Sequence, residues 1–160
     1  MDAPTFFTDP TALIGRDQTS DWLTIDEEHL RAFAFSTFLD EEHVDLTTSK
    51  NHALGPELVD GFLLLSLLVH FDFANPIADM PGGYGFNYGF DRVRFTAPVF
   101  VDEAVRLKRT VVDVDLKTPT RALITYDTVM EVRRETPETV MVARWLVMAV
   151  DGATEQGDQA

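Results

Sequence analysis

A chain of 160 residues with 45% hydrophobic positions and twelve Phe is long enough to build one domain with a core, and too apolar to remain disordered. Its 27 acidic and 13 basic residues give a formal charge of −14, which repels phosphate backbones and anionic bilayers and argues against nucleic-acid and membrane partners. With no cysteine there are no disulfides, no thiolate nucleophile and no cysteine-bound zinc.

The N-terminal MDAPTFFTDPTALIG lacks the charged start and continuous apolar core of a secretory signal, so a cytoplasmic location is expected. Next, SDWLTI (20–25) is short and apolar, a strand or a lead-in, and Thr24-Ile25-Asp26-Glu27 matches a capping box. Behind it, EEHLRAFAFSTF (27–38) sets Leu30, Phe33, Ala34 and Thr37 on one face of an amphipathic helix, with His29 and Arg31 on the wetter side. Asp40 to Pro56 is polar and ends in Gly55-Pro56, a loop. Leu58 to Phe71 is apolar nearly all round; its consecutive leucines favour a helix over a strand, and such a helix has to be wrapped by other structure.

After Asn75-Pro76 and Pro81-Gly82-Gly83 the pattern turns to strands. FNYGFDRVRFTAPV alternates about Val93 and Phe95. AVRLKRTVVDVDL places Val105, Leu107, Arg109 and Val111 on one side, and RALITYDTVMEVRRE does so with Ala122, Ile124, Tyr126, Thr128 and Met130. Turns at Lys117–Thr120 and Glu135–Glu138 precede TVMVARWLVMAV, and short turns between strands predict an antiparallel meander. The expected domain spans 1–150, with a flexible acidic tail at 151–160. One helix needing cover, followed by a long antiparallel sheet able to cover it, is an α+β arrangement, as in a hot-dog fold.

Three stretches resemble the MaoC/NodN-like dehydratases, the family of (R)-specific enoyl-CoA hydratases. FAFSTFLDEEHVD (33–45) is similar to that family's segment ending in H-V-D. DGFLLLSLL (60–68) is similar to its H-G-F-L-x-L-S-L-L, and NYGFDRVRFTAPVFVDEAVRL (87–107) to its N-Y-G-x-x-x-V-R-F-x-A-P-V-x-V. The resemblance covers roughly residues 13–150. It implies a hot-dog fold, a dimer, an acyl-thioester substrate and no cofactor. It also implies an Asp and a His that activate water for addition across a 2-enoyl thioester, with backbone N–H at the start of the long helix polarising the carbonyl. The chemistry asks for those parts: a base for water, an acid for the α-carbon, and donors for enolate charge, which a helix N-terminus supplies.

Carried over residue by residue, His43 falls on the catalytic His, since H-V-D and the 17-residue interval to position 60 are kept. The family's Asp stands five residues before that His, where this chain has Phe38; Asp40, three before His43, is the candidate in its stead. Gly61 matches the oxyanion-hole glycine, and Asp60 stands where the family has His. Ser66 matches a helix Ser that packs. Other readings stay open for these residues. Asp40-Glu41-Glu42 is also an ordinary solvated or capping run, and Asp60 is a favoured N-cap. An ionised Asp60 beside an enolate would cost about 4 kcal/mol at ~4 Å and an effective dielectric near 20.

His29, His52 and His70 show no metal spacing, and His70 reads as a partner for the C-terminal end of the long helix. Asn87 and Tyr88 could reach a cleft, and Phe33, Phe35 and Phe38 read as core or tunnel lining. Neither a phosphate-binding Gly loop nor a G-x-S-x-G elbow is present. An anionic ligand would have to use Arg92, Arg94, Lys108 or Arg109.

The leading expectation is a hydro-lyase on a 2-enoyl/3-hydroxyacyl thioester, with His43 and Asp40 catalytic and Gly61 and Asp60 at the substrate. CoA is the expected carrier, because an acyl-carrier protein is itself acidic. The alternatives are a non-catalytic or reduced-activity subunit pairing with a competent hot-dog chain, and an acyl-CoA thioesterase on the same fold.

Overall fold

The computed structural model describes residues 7–44 and 57–155. A 3-10 turn at Pro10–Leu13 leads into two short strands, β1 (Asp17–Thr19) and β2 (Leu23–Thr24), and then helix α1 (Glu27–Ser36). The long helix α2 (Gly61–Ala74) follows, then β3 (Tyr84–Phe95), β4 (Ala104–Thr118), β5 (Arg121–Val132) and β6 (Glu138–Val150). The first residues of the expected tail form a helical turn, α3 (Gly152–Glu155); residues 156–160 lie outside the described residues.

All strands join one antiparallel sheet in the order β1-β4-β5-β6-β3, with β2 also on β4. The α+β hot-dog arrangement of one long helix against one antiparallel sheet is present. The meander is correct only for β4-β5-β6. Strand β3 pairs with β6 instead of its sequence neighbour β4, so the chain crosses three strand spacings, roughly 14 Å, between them. Alternating burial fixes which face a side chain takes but carries nothing about which strand lies alongside.

That face is as the alternation predicts. Val105, Leu107, Arg109 and Val111 on β4, and Ala122, Ile124, Tyr126, Thr128 and Met130 on β5, are all buried. They meet Leu64, Leu68 and Phe71 of α2, an i, i+4, i+7 stripe, each side chain contributing roughly 1.5–3 kcal/mol by its burial. The expectation that α2 is wrapped all round fails within the single chain. Phe62 and Phe73 are 68% and 82% exposed, because the sheet covers one side of the helix only.

On α1, Leu30, Phe33 and Ala34 are half-buried while Thr37 is exposed, so the predicted apolar face is three residues wide. The capping residue is Asp26, not Thr24. Thr24 is taken up in β2 opposite Ala104, and the Asp26 carboxylate accepts from the His29 N–H at 3.0 Å. Phe35 and Phe38, expected as core or tunnel lining, are 75% and 66% exposed.

The C-terminal end of α2 is met by Arg109 and not by His70. The helix runs on to Ala74, which leaves His70 exposed against the Phe71 ring, one turn short of the end. The Arg109 guanidinium, 1% exposed, donates to the Asn75 carbonyl at 2.6 Å, to Gln18 Oε1 at 2.8 Å and to the Asp72 carboxylate. A delocalised cation with several donors satisfies the last carbonyls of a helix and a carboxylate together.

Candidate active site

Past α1 the chain reverses through Phe38, whose φ of 60° lies in the left-handed region. The next four residues form a tight turn. Asp40 Oδ1 accepts the Glu42 N–H at 3.0 Å, and the His43 N–H donates to the Asp40 carbonyl at 3.0 Å. This turn brings His43 Nδ1 to 2.9 Å from both carboxylate oxygens of Asp40. The Phe38 ring meets the imidazole edge-on at 5.3 Å. The bond from His43, followed by the Glu42 N–H, holds the Asp40 carboxyl below the usual carboxylate range, so it is ionised at neutral pH. A carboxylate on Nδ1 fixes that nitrogen as the N–H and leaves Nε2 to take or give a proton. The three-residue spacing is therefore enough to couple Asp40 to His43. Phe38, in the position five before the histidine, supplies a ring contact only.

The second pair of candidate residues stands at the N-terminus of α2. Asp60 is its N-cap, with Oδ1 accepting the Phe62 N–H at 2.7 Å. Gly61 is the first helical residue, and its N–H has no acceptor among the described residues. A Cβ at position 61 would lie 3.1 Å from the Phe95 ring, so glycine lets β3 close over the start of the helix. The carboxylate of Asp60 is turned onto its own helix, and this cap geometry makes a stability prediction. Asp60→Ala should cost about 1 kcal/mol in urea unfolding, while Asp60→Asn, an equally good cap, should leave the midpoint unchanged. Equal losses in both variants would mean that charge rather than capping fixes the residue.

Asp40 and His43 are thus brought together, and Asp60 and Gly61 are brought together, but no hydrogen bond or ring contact among the described residues joins the two pairs. Asp45, His52 and Gly55-Pro56 lie between them, outside the described residues. Ser66 Oγ donates to the Phe62 carbonyl at 2.8 Å and is spent within its helix.

Two of the four basic residues offered for an anion are committed to carboxylates elsewhere. Lys108 is paired with Glu131 at 2.8 Å, and Arg109 is committed to the end of α2. Arg94 donates to its neighbouring Val93 carbonyl at 2.8 Å, and Arg92 stands on β3 at a φ of 59°. Among the described residues no helix is long and apolar enough to cross a membrane, and no group of three or more His, Cys, Asp or Glu could hold a metal ion.

The sequence reading missed a cavity of 460 Å³ at the other end of α2, lined by Val69, Asp72, Phe73, Tyr126 and Trp145 among others. Asn87 does reach this cleft, where its Oδ1 accepts the Trp145 indole N–H at 2.9 Å; Tyr88 is 61% exposed and does not line it. The trace of it in the sequence is one carboxylate, Asp72, late in an otherwise apolar helix, opposite an arginine, Arg109, on the inward face of β4.

Comparison with known proteins agrees with this fold. The family described as MaoC like domain matches residues 10–133. Nodulation protein N of Rhizobium meliloti is 30% identical over 148 residues, covering 89% of each chain. The 3-hydroxyacyl-thioester dehydratase Z of Mycobacterium tuberculosis is 34% identical over 99 residues, 60% of this chain and 64% of that one. Among solved structures, the (R)-hydratase from A. caviae involved in PHA biosynthesis superposes with a TM-score of 0.60 at 21% identity, covering 84% of this chain and 94% of that one. At that identity the superposition speaks for the fold.

Proposed function

Because the chain belongs to the MaoC-like domain family, we propose that it is a hydro-lyase that adds water to, or removes it from, a 2-enoyl/3-hydroxyacyl thioester. The observation that carries this reading is the Asp40–His43 pair, with Nδ1 held at 2.9 Å on a carboxylate that remains ionised. In the hydration direction, His43 Nε2 takes a proton from water as the water oxygen bonds to C3 of the enoyl group. The C2–C3 electron pair then moves onto the thioester oxygen, where the Gly61 N–H and the positive end of α2 receive the charge. The imidazolium, steadied by Asp40, returns the proton to C2, and the base is regenerated. The dehydratase Z relative, named for action on 3-hydroxyacyl thioesters, supports the substrate class.

The carrier proposed is CoA, since an acidic acyl-carrier protein would meet a chain of net charge −14. A second hot-dog chain is proposed over α2 and β3. Phe62 and Phe73 leave an apolar stripe on the helix, and β3 is an edge of the sheet with unpaired backbone. One observation favours a second reading, a reduced-activity subunit. Asp60 keeps a carboxylate at the end of α2 where enolate charge would form.

The test is hydration of crotonyl-CoA and longer 2-enoyl-CoAs, read as loss of enoyl absorbance, with thiol release followed in parallel. Turnover without thiol release is expected, from a species of twice the chain mass in light scattering. Thiol release without hydration would make the chain a thioesterase. Inactivity together with co-purification of a second hot-dog chain would make it the non-catalytic subunit.

A further inference from the structure

Tyr126 is 5% exposed, and its hydroxyl, which has no hydrogen-bond partner among the described residues, opens onto the cavity at the end of α2. Beside it lies Asp72, one of whose oxygens is held by Arg109 while the other is unengaged among the described residues. The same Arg109 guanidinium stands 5.2 Å from the centre of the Tyr126 ring, so phenol, carboxylate and cation form one cluster at the cavity wall. Burial, with the Asp72 charge next, pushes the Tyr126 phenol up to about 12, so it remains neutral and able to donate. The rest of the wall is mostly apolar, with Val69, Phe73 and Trp145 among it, and its further polar residues are Asp79, Tyr84 and Asn87, whose Oδ1 already accepts from Trp145.

Position along the helix connects this cluster to the reacting end. From Gly61 to Asp72 is eleven residues, close to three turns, so the two stand on one side of α2, with Leu65 and Val69 between them. Their separation along the axis is about 16 Å. A thioester whose carbonyl sits at Gly61 would reach the cavity only with a long acyl chain laid down this side of the helix.

We propose that the cavity is the far end of the acyl site, and that it selects a long acyl group bearing a hydroxyl at its tip, which donates to Asp72 and accepts from Tyr126. This rests on the reading of Gly61 as the carbonyl site. A purely alkyl tip would leave the carboxylate and the phenol facing hydrocarbon, while a hydroxyl satisfies both. A short enoyl group such as crotonyl ends before Val69 and gains nothing from the cavity.

The test uses saturated thioesters, which cannot be hydrated, so binding is separated from turnover. Titration calorimetry on the purified protein compares dodecanoyl-CoA with ω-hydroxydodecanoyl-CoA and butanoyl-CoA. The ω-hydroxy chain is expected to bind about tenfold more tightly than the plain chain, as a hydrogen bond to a charged group allows. Butanoyl-CoA should be the weakest of the three. Tyr126→Phe keeps the ring and removes only the unmatched hydroxyl, so it should unfold at the wild-type denaturant concentration and lose most of the preference. Equal affinities of the two long chains, or an undiminished preference in Tyr126→Phe, would overturn the proposal. A preference without any hydration of enoyl-CoAs would refute the hydratase reading and leave the cavity assignment standing; hydration without a preference would do the reverse.

Discussion

His43→Ala is expected to lower the rate of 2-enoyl-CoA hydration by roughly a hundred- to ten-thousand-fold, the usual worth of a positioned acid/base. The fold should be untouched. The side chain of His43 is half-exposed, and its side-chain contacts are Asp40 and the Phe38 ring, neither of which is in the core. Far-ultraviolet dichroism and the urea midpoint should therefore match wild type, which leaves the rate as the informative quantity. Asp40→Asn separates the two roles within the pair. The amide oxygen can still accept from Nδ1 and keep the ring in place, but it no longer offsets the imidazolium that forms as water is deprotonated. Its rate should fall between those of wild type and His43→Ala, with the larger change in kcat than in KM, because the charge matters most in the transition state. A His43→Ala enzyme that turns over at the wild-type rate would remove this residue from the mechanism, whatever the fate of the family assignment.

Such a prediction can be written from sequence alone only in part, and the reason lies in what kinds of information a pattern carries. Period-two burial on β4 and β5 is a property of each strand by itself, so Leu107, Val111, Ile124 and Met130 could be set inward before any coordinates. Strand neighbours are a property of the whole sheet, and nothing within Tyr84–Phe95 signals that its partner is β6. The caps show the same division. Asp60 is identifiable at a glance because an apolar helix starts behind it, whereas Thr24 and Asp26 both suit the start of α1, and only the pairing of Thr24 with Ala104 decides between them. At the site, spacing carried His43 and Gly61 by resemblance. The contact of Asp40 with Nδ1 depends on a turn that starts from a left-handed Phe38, a conformation that residue type does not advertise. The cavity was illegible because its wall comes from α2, β3, β5 and β6 together.

The largest effect on stability is expected from Asp72→Leu, about 3 kcal/mol in urea unfolding, because it strands a buried cation. Arg109 is 3% exposed, and Asp72 is the anion hydrogen-bonded to its guanidinium among the described residues. Gln18 and the Asn75 carbonyl would still accept from it, which keeps the loss near the lower end of the range for a broken buried pair. The opposite change should be milder. Arg109→Met removes the charge together with the need to solvate it, refills much of the volume beside the Tyr126 ring, and leaves Asp72, 37% exposed, with access to water. The asymmetry separates an electrostatic role from plain packing. If Arg109 acts only as bulk between α2 and β4, then Arg109→Met should be nearly silent, Asp72→Leu should be small, and the double variant should show their sum. If the charges matter as argued, Asp72→Leu with Arg109→Met should be more stable than Asp72→Leu alone, since the second change removes the cation that the first left unpaired. A double variant less stable than Asp72→Leu would mean that Arg109 holds the end of α2 chiefly through the Asn75 carbonyl and Gln18, with the carboxylate free to serve the cavity.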